Sequence, residues 1–268
     1  RLTAHKLIFK IKDEVVLIYD NFTEEQICGL YTPWHFVAIA IFFILAVVLL
    51  FFSRKLNEKQ TKIILWVIAV LVLVMEIIKI AIRIYRGDGY DSYIPLYFCS
   101  LFIYAIWLSL CKSKHLKTCG YCFMVFGGIP ASVCFIFYPS TSLMIYPIWH
   151  LGSLHSLFYH FLMFYSGCLI LLKNLYTPQL KDAIYYIIFV TFFSVIAIIV
   201  NHFLGTNMMF MGNPFGLPFL DAIFNYSKVL YIILVYLAQG VALFFAGFGV
   251  YALVEYIIKK RRMKHESV

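Results

Sequence analysis

The sequence predicts an all-α, polytopic membrane bundle of seven transmembrane helices, and three observations carry that prediction. Of 268 residues, 63% are hydrophobic and only 13% are charged, and the mean hydropathy is +0.88. No soluble class has that balance. Seven apolar runs each reach the roughly 20 residues needed to cross a hydrocarbon core. The segments between them alternate in charge, as the two sides of a bilayer require.

Residues 1 to 33 mix charge with apolar runs too brief to span, and they form a peripheral segment. Within it Thr23-Glu-Glu-Gln26 reads as a capping box opening a short helix that leads to Tyr31-Thr-Pro-Trp34. Asn21-Phe-Thr23 matches a glycosylation acceptor, a tripeptide too common to carry weight. No cleavable signal pattern precedes the first apolar run. The spans are expected at about 34 to 53, 62 to 85, 94 to 112, 118 to 139, 148 to 172, 183 to 204 and 228 to 258. The last is long enough to tilt or to extend beyond the bilayer. Residues 259 to 268 form a basic tail. This gives three parts: the peripheral segment (1–33), the seven-helix domain (34–258) and the tail (259–268).

One set of connections is basic: Arg54, Lys55, Lys59 and Lys62, then Lys112, Lys114 and Lys117, then Lys173 and Lys181, and finally Lys259, Lys260, Arg261, Arg262 and Lys264. The alternate set, at 87 to 93, 139 to 147 and 205 to 227, holds no Lys or Arg, with Arg86 at its edge. The positive-inside rule therefore places the C-terminus in the cytoplasm and the N-terminal segment outside, in a plasma membrane of bacterial type. The formal charge of +9 is spent on orientation, so no nucleic-acid partner is expected. An odd set of seven cysteines, scattered mostly through apolar runs, is not a disulfide framework. No internal repeat supports an inverted-repeat transporter.

With that orientation the intramembrane polar residues gather in the outer half. Glu76, Lys79 and Arg83 lie within about 60° of one another on one helix face. Glu76 and Lys79 can pair locally, and Arg83 can snorkel to the outer surface. Cys99 follows an uncharged outer loop and sits roughly 8 Å below the rim. His150, His155 and His160 share the fifth span. Steps of about 100° per residue put His150 and His160 about 80° apart and His155 on another side, so they are not a helical zinc pair. Any one of them could simply stitch helices together, but three in one span nominate it as the wall of a cavity. The sixth span ends at Asn201 and His202, and the outer loop beyond holds Asn207 and Asn213. That loop, from Gly205 to Pro218, is apolar but broken by Gly and Pro, and reads as a cap over the site. Gly127-Gly128-Ile-Pro130 marks a kink or a close helix contact. Cys119-Gly-Tyr-Cys122 has the CxxC spacing, yet lacks a second pair or a redox-fold context.

A Cys, several His, an Asn and a paired acid and base at similar depth have the composition of a nucleophilic site. Tyr97-Phe-Cys-Ser100, Gly128 to Pro139, His160 sixteen residues before Tyr176-Thr-Pro178, Asn201-His202 and Thr206-Asn-Met-Met-Phe-Met-Gly-Asn-Pro214 occur in an order and spacing that resemble a family. It is that of the YwaF-type bacterial integral membrane proteins and their animal relative, transmembrane protein 164, described as an acyltransferase acting on phospholipids. The resemblance covers most of the chain from Trp34 onward. It implies a catalytic pair of Cys99 and His160. Where the animal motif has Pro-Cys-His, this chain has Phe98-Cys-Ser100, so no His adjoins the Cys.

The expectation is thus an integral membrane lipid acyltransferase or thioesterase-like enzyme with Cys99 as nucleophile and His160 or His155 as base. Glu76, Lys79, Arg83, His150, Asn201, His202 and Asn207 are the expected substrate-binding residues. Membrane lipids and an acyl lipid are the expected partners, self-association is left open, and no metal or cofactor is called for. The alternative is a non-catalytic transporter, lipid exporter or receptor that uses the same polar cluster to bind substrate or relay protons.

Overall fold

The computed structural model describes residues 22–214 and 218–266, which are all-helical with no strand among them. Residues 1–21, and with them most of the peripheral segment and Asn21, lie outside the described residues, as do 215–217 of the outer loop and 267–268 of the tail. Helix α1 spans Pro33–Ser53 and α2 Glu58–Arg86. A nine-residue α3 covers Leu101–Ser109. Helix α4 runs over Lys114–Phe137, α5 over Leu151–Leu172 and α6 over Ala183–Leu204. A short surface helix, α7, occupies Pro218–Tyr226. Helix α8 starts as Lys228–Leu237 and continues as Leu243–Glu266 through a π turn at Ala238–Ala242.

Six of these are long and apolar enough to cross a membrane. The third apolar run differs from its expectation. Only Leu101–Ser109 is helical, preceded by irregular chain from Ile94 to Ser100. Its side chains explain this: Leu101, Phe102, Ile103, Ala105 and Ile106 are buried against protein, so no lipid forces the preceding backbone into a helix. Pro95 further disfavours helix in front of it. The Thr23–Gln26 stretch is likewise a turn, closed by Gln26 N donating to the Thr23 carbonyl at 2.9 Å. The chain reverses soon after at Gly29, φ +73°.

Local chemistry sets the helix ends. Thr32 caps α1, whose first residue is Pro33, and accepts from His35 N. Asn57 and Gln60 form a capping box at α2, which stops at the left-handed Gly87. The expected kink in α4 is a π turn at Met124–Gly128, just ahead of Pro130, which has no N–H for the ladder.

The core is aromatic. Phe123 packs on Tyr186 and Phe189, Phe126 on Phe244, and Tyr104 on Phe193 with centroids 4.6 Å apart. His35 ties α1 to α4: its Nδ1 accepts from Tyr31 N, so its Nε2 carries the proton and donates to the Ile136 carbonyl at 2.9 Å. Trp66 of α2 meets Trp107 of α3, while Cys28 N and Gly29 N donate to the carbonyls of Tyr146 and Leu143. Residues 28 and 29 are thereby pinned to the loop that leads into α5.

Candidate functional site

Between α2 and α5 lies a cleft of about 450 Å³. One wall is α2, with Leu71, Met75, Ile78, Lys79, Ile82, Arg83 and Arg86; the other is the start of α5, with His150, Leu154, His155 and Phe158. The lower part is apolar, and Ile78, Leu154 and Phe158 are exposed on its flank. The basic groups Lys79, Arg83 and Arg86 stand toward the C-terminal end of α2, so the cleft joins an apolar floor to a cationic mouth.

The mouth is built by two local devices. The α2 face spacing brings Lys79 Nζ to 2.5 Å from Glu76 Oε1, with Glu76 itself buried. The left-handed Gly87 then turns the chain back so that Asp88 reaches Arg83 Nη1 at 2.9 Å and Arg86 Nε at 3.5 Å. From the opposite wall, Tyr146 stacks on His150 with centroids 4.3 Å apart and places its hydroxyl 3.5 Å from Arg83 Nη2. His150 is not a helical residue. It is the N-cap of α5, with φ −64° and ψ 143°, and its Nδ1 accepts from Gly152 N at 3.1 Å. The ring proton of the neutral form therefore sits on Nε2, which is buried and has no partner among the described residues. The expectation that His155 lies on another side from His150 is corrected here. His150 and His155 line one cleft, because a helical wheel does not apply to a cap.

Cys99 stands on the turn that leads into α3, deeper than the mouth. The Tyr159 hydroxyl donates to its carbonyl at 3.2 Å, and Glu76 and Lys79 act on its sulfur electrostatically. The Cys99 and Ser100 N–H groups point toward Sγ, as expected just ahead of a helix N-terminus. His155 and Tyr159, four residues apart on α5, stack on each other; both are on the Cys99 side. His160 is rotated away. It lies flat on Phe135 of α4, centroids 3.7 Å apart, and its Nδ1 donates to the Ser156 carbonyl at 2.8 Å, leaving Nε2 as the basic nitrogen. No hydrogen bond joins Cys99 Sγ to either histidine among the described residues.

Three of the expected binding residues sit elsewhere. Asn201 Oδ1 accepts from Thr206 Oγ1 and Met208 N, and its Nδ2 donates to the Met208 carbonyl. Asn207 Oδ1 accepts from Gly212 N and Asn213 N, and its Nδ2 donates to the Asn213 carbonyl. Both fold the loop after α6 upon itself. His202 is exposed, edge-on to Phe203. The loop plugs the bundle: Met208, Met209 and Met211 are buried, Gln239 Nε2 of the α8 π turn donates to the Met209 carbonyl, and the Tyr231 hydroxyl donates to the Phe210 and Asn213 carbonyls. Cys122, of the CxxC stretch, is buried beside the Tyr176 hydroxyl, which donates to Asp182. Among the described residues no group of three His, Cys, Asp or Glu could hold a metal ion.

Tyr146, Tyr159, Arg86 and Asp88 were not among the expected site residues. Tyr146 opens the histidine-bearing stretch, and Asp88 follows Arg86 across Gly87, signals that composition alone does not weigh.

The TMEM164 family model matches residues 30–254. The chain belongs to the TMEM164 family. That match takes in the whole cleft and the six candidate spans apart from the end of the last, so the TMEM164 assignment and the six apolar helices together establish a multi-pass membrane protein. No curated protein and no solved structure matches the chain significantly.

Proposed function

We propose that this TMEM164-family protein is a membrane-embedded lipid acyltransferase or thioesterase in which Cys99 is the nucleophile. The observation that carries the reading is the position of Cys99. It occupies a non-helical turn just ahead of α3, its carbonyl accepts from the Tyr159 hydroxyl of α5, and the Glu76–Lys79 pair, whose lysine lines the cleft, acts on its sulfur. Irregular backbone at membrane depth is tolerated where it is buried in protein or lines a cavity.

In this reaction a histidine takes the Cys99 thiol proton and Sγ attacks the ester carbonyl of a lipid. The ester C–O bond breaks, and the leaving lysolipid oxygen recovers the proton. An acceptor hydroxyl, or water, then attacks the thioester, giving up its proton as Sγ leaves and is reprotonated. The N–H groups of Cys99 and Ser100 are the candidate donors for the oxyanion. His155 is the base that the shared face with Tyr159 favours. His160 is the one the family resemblance implies, and its free Nε2 has the right tautomer for the task.

We also propose that residues 94–110 cross as a broken third span, with the N-terminal segment outside and the basic tail in the cytoplasm. The Trp66–Trp107 contact supports this, since it sets the end of α3 beside the start of α2. The cleft and Cys99 then face the outer leaflet.

The deciding experiment is acyl-enzyme trapping on the purified full chain. An ester probe with a reporter acyl group should label wild type, and Cys99→Ala should abolish labelling. His155→Gln and His160→Gln, each folded by thermal unfolding, identify the base by which one slows labelling about 100-fold or more. Unchanged labelling of Cys99→Ala refutes the reading. Full function with Cys99→Ser, combined with loss on Glu76→Gln, would favour transport instead.

A further inference from the structure

The peptide unit that joins Cys99 to Ser100 is held at one end and open at the other. Its carbonyl oxygen accepts from Phe102 N at 3.1 Å and from the Tyr159 hydroxyl at 3.2 Å. Its N–H, on Ser100, has no backbone acceptor among the described residues and points toward Cys99 Sγ. In a trans peptide the C=O and N–H lie in one plane and point in opposite directions, so whatever fixes the oxygen also fixes where the hydrogen aims. The Phe102 bond is local to the turn and moves with it. The Tyr159 bond comes from α5, the helix that carries both histidines proposed as base.

Tyr159 is itself held firmly enough to set a direction. It is 5% exposed, and its ring meets Phe102 of α3 edge-on, with centroids 5.8 Å apart. It stacks on His155 at 6.0 Å and meets His160 at 5.7 Å, so one buried ring touches both histidines and reaches the peptide of the nucleophile. The single hydroxyl hydrogen is already given to the Cys99 carbonyl.

We propose that Tyr159 is a positioning residue of the acyl-transfer site, whose bond to the Cys99 carbonyl aims the Ser100 N–H at the place beside Sγ where the oxyanion forms. This rests on the acyl-transfer reading above. Tyr159 acts through the Cys99–Ser100 peptide and not on the ester. A donor at the carbonyl oxygen also polarises the peptide and strengthens the N–H on its far side. Such donors act where charge develops in the transition state, and about 1 Å of misplacement can cost on the order of 100-fold in rate.

The test compares two reactions of Cys99 in the full solubilised chain, each followed at that residue by mass spectrometry. An ester probe with a reporter acyl group reacts through an oxyanion. Iodoacetamide does not: Sγ bonds to its carbon as iodide leaves. Tyr159→Phe keeps the ring and removes only the hydroxyl, so it should slow acylation about tenfold or more and change alkylation by less than about twofold. A lost base slows both reactions together, and a loosened fold speeds alkylation by exposing the thiol. Equal slowing of the two reactions overturns the proposal, as does unchanged acylation. The bond itself is read by infrared spectroscopy on protein labelled with carbonyl-13C cysteine, where Tyr159→Phe should move one carbonyl band to higher frequency. No shift in that band also overturns the proposal. If the band shifts but the wild type never forms an acyl-enzyme, the hold of Tyr159 on the Cys99 turn stands and the acyl-transfer reading alone is refuted.

Discussion

Replacing Gly120 by alanine tests the placement of the broken third segment more sharply than any change at the site itself. A Cβ built there would stand 2.4 Å from the Ala105 carbonyl oxygen, 2.5 Å from Ser109 N and 2.9 Å from Ser109 Cα. All three are backbone atoms of α3, so no side chain can swing aside. Ordinary contact begins near about 3.5 Å, so α3 and α4 must part by about 1 Å. Overpacking of that kind costs about 1–3 kcal/mol. Alanine also raises helix propensity, by up to about 1 kcal/mol, which partly offsets the clash. Gly249 isolates that second effect: it is a helical glycine with nothing within 4 Å of its would-be Cβ. Gly249→Ala should therefore be neutral or slightly stabilising. The two variants should differ by roughly 5 °C or more in thermal unfolding of the solubilised protein, taking about 2–4 °C per kcal/mol for a chain of this size. Because α3 begins just after Cys99, labelling of Cys99 by an ester probe should fall in Gly120→Ala as well. If Gly120→Ala unfolds at or above Gly249→Ala, the two backbones are not in contact and the reasoning about the third segment fails.

A membrane-impermeant maleimide should reach a cysteine placed at Ser140 in intact cells and not one placed at Asn57, both being exposed; the reverse pattern inverts the topology. Asn201→Leu removes three hydrogen bonds and strands the buried Met208 backbone, so it should destabilise the chain by about 1–3 kcal/mol; an unchanged unfolding temperature would show that the loop is not held there.

Hydropathy made six of the seven runs legible because lipid demands a continuous helix wherever it touches the chain. It could not separate the third, since apolar composition is the same whether lipid or protein covers it. Val47 and Ile44 of α1 face outward, whereas Phe102 and Ile106 of α3 are buried against neighbours. Periodicity likewise recovered the Glu76, Lys79 and Arg83 face, which is set by helix geometry alone. It missed Asp88 and misjudged His150 for one physical reason. Both depend on what happens just past a helix end: a left-handed glycine that folds Asp88 back onto Arg83, and a cap that turns a histidine ring toward α2. The asparagines differ. An intramembrane amide has to be satisfied, and sequence does not say whether a ligand or the chain's own backbone will do it; at Asn201 and Asn207 the loop after α6, with Met209 and Phe210 at positive φ, supplies partners for both amide oxygens and one bond to each amide nitrogen. His150 is the contrasting case. Its capping bond fixes one nitrogen and so fixes what the other must be, a buried donor facing a cleft. The rule that each buried polar atom needs a partner leaves His150 Nε2 and, in the same cleft, His155 Nε2 without one among the described residues.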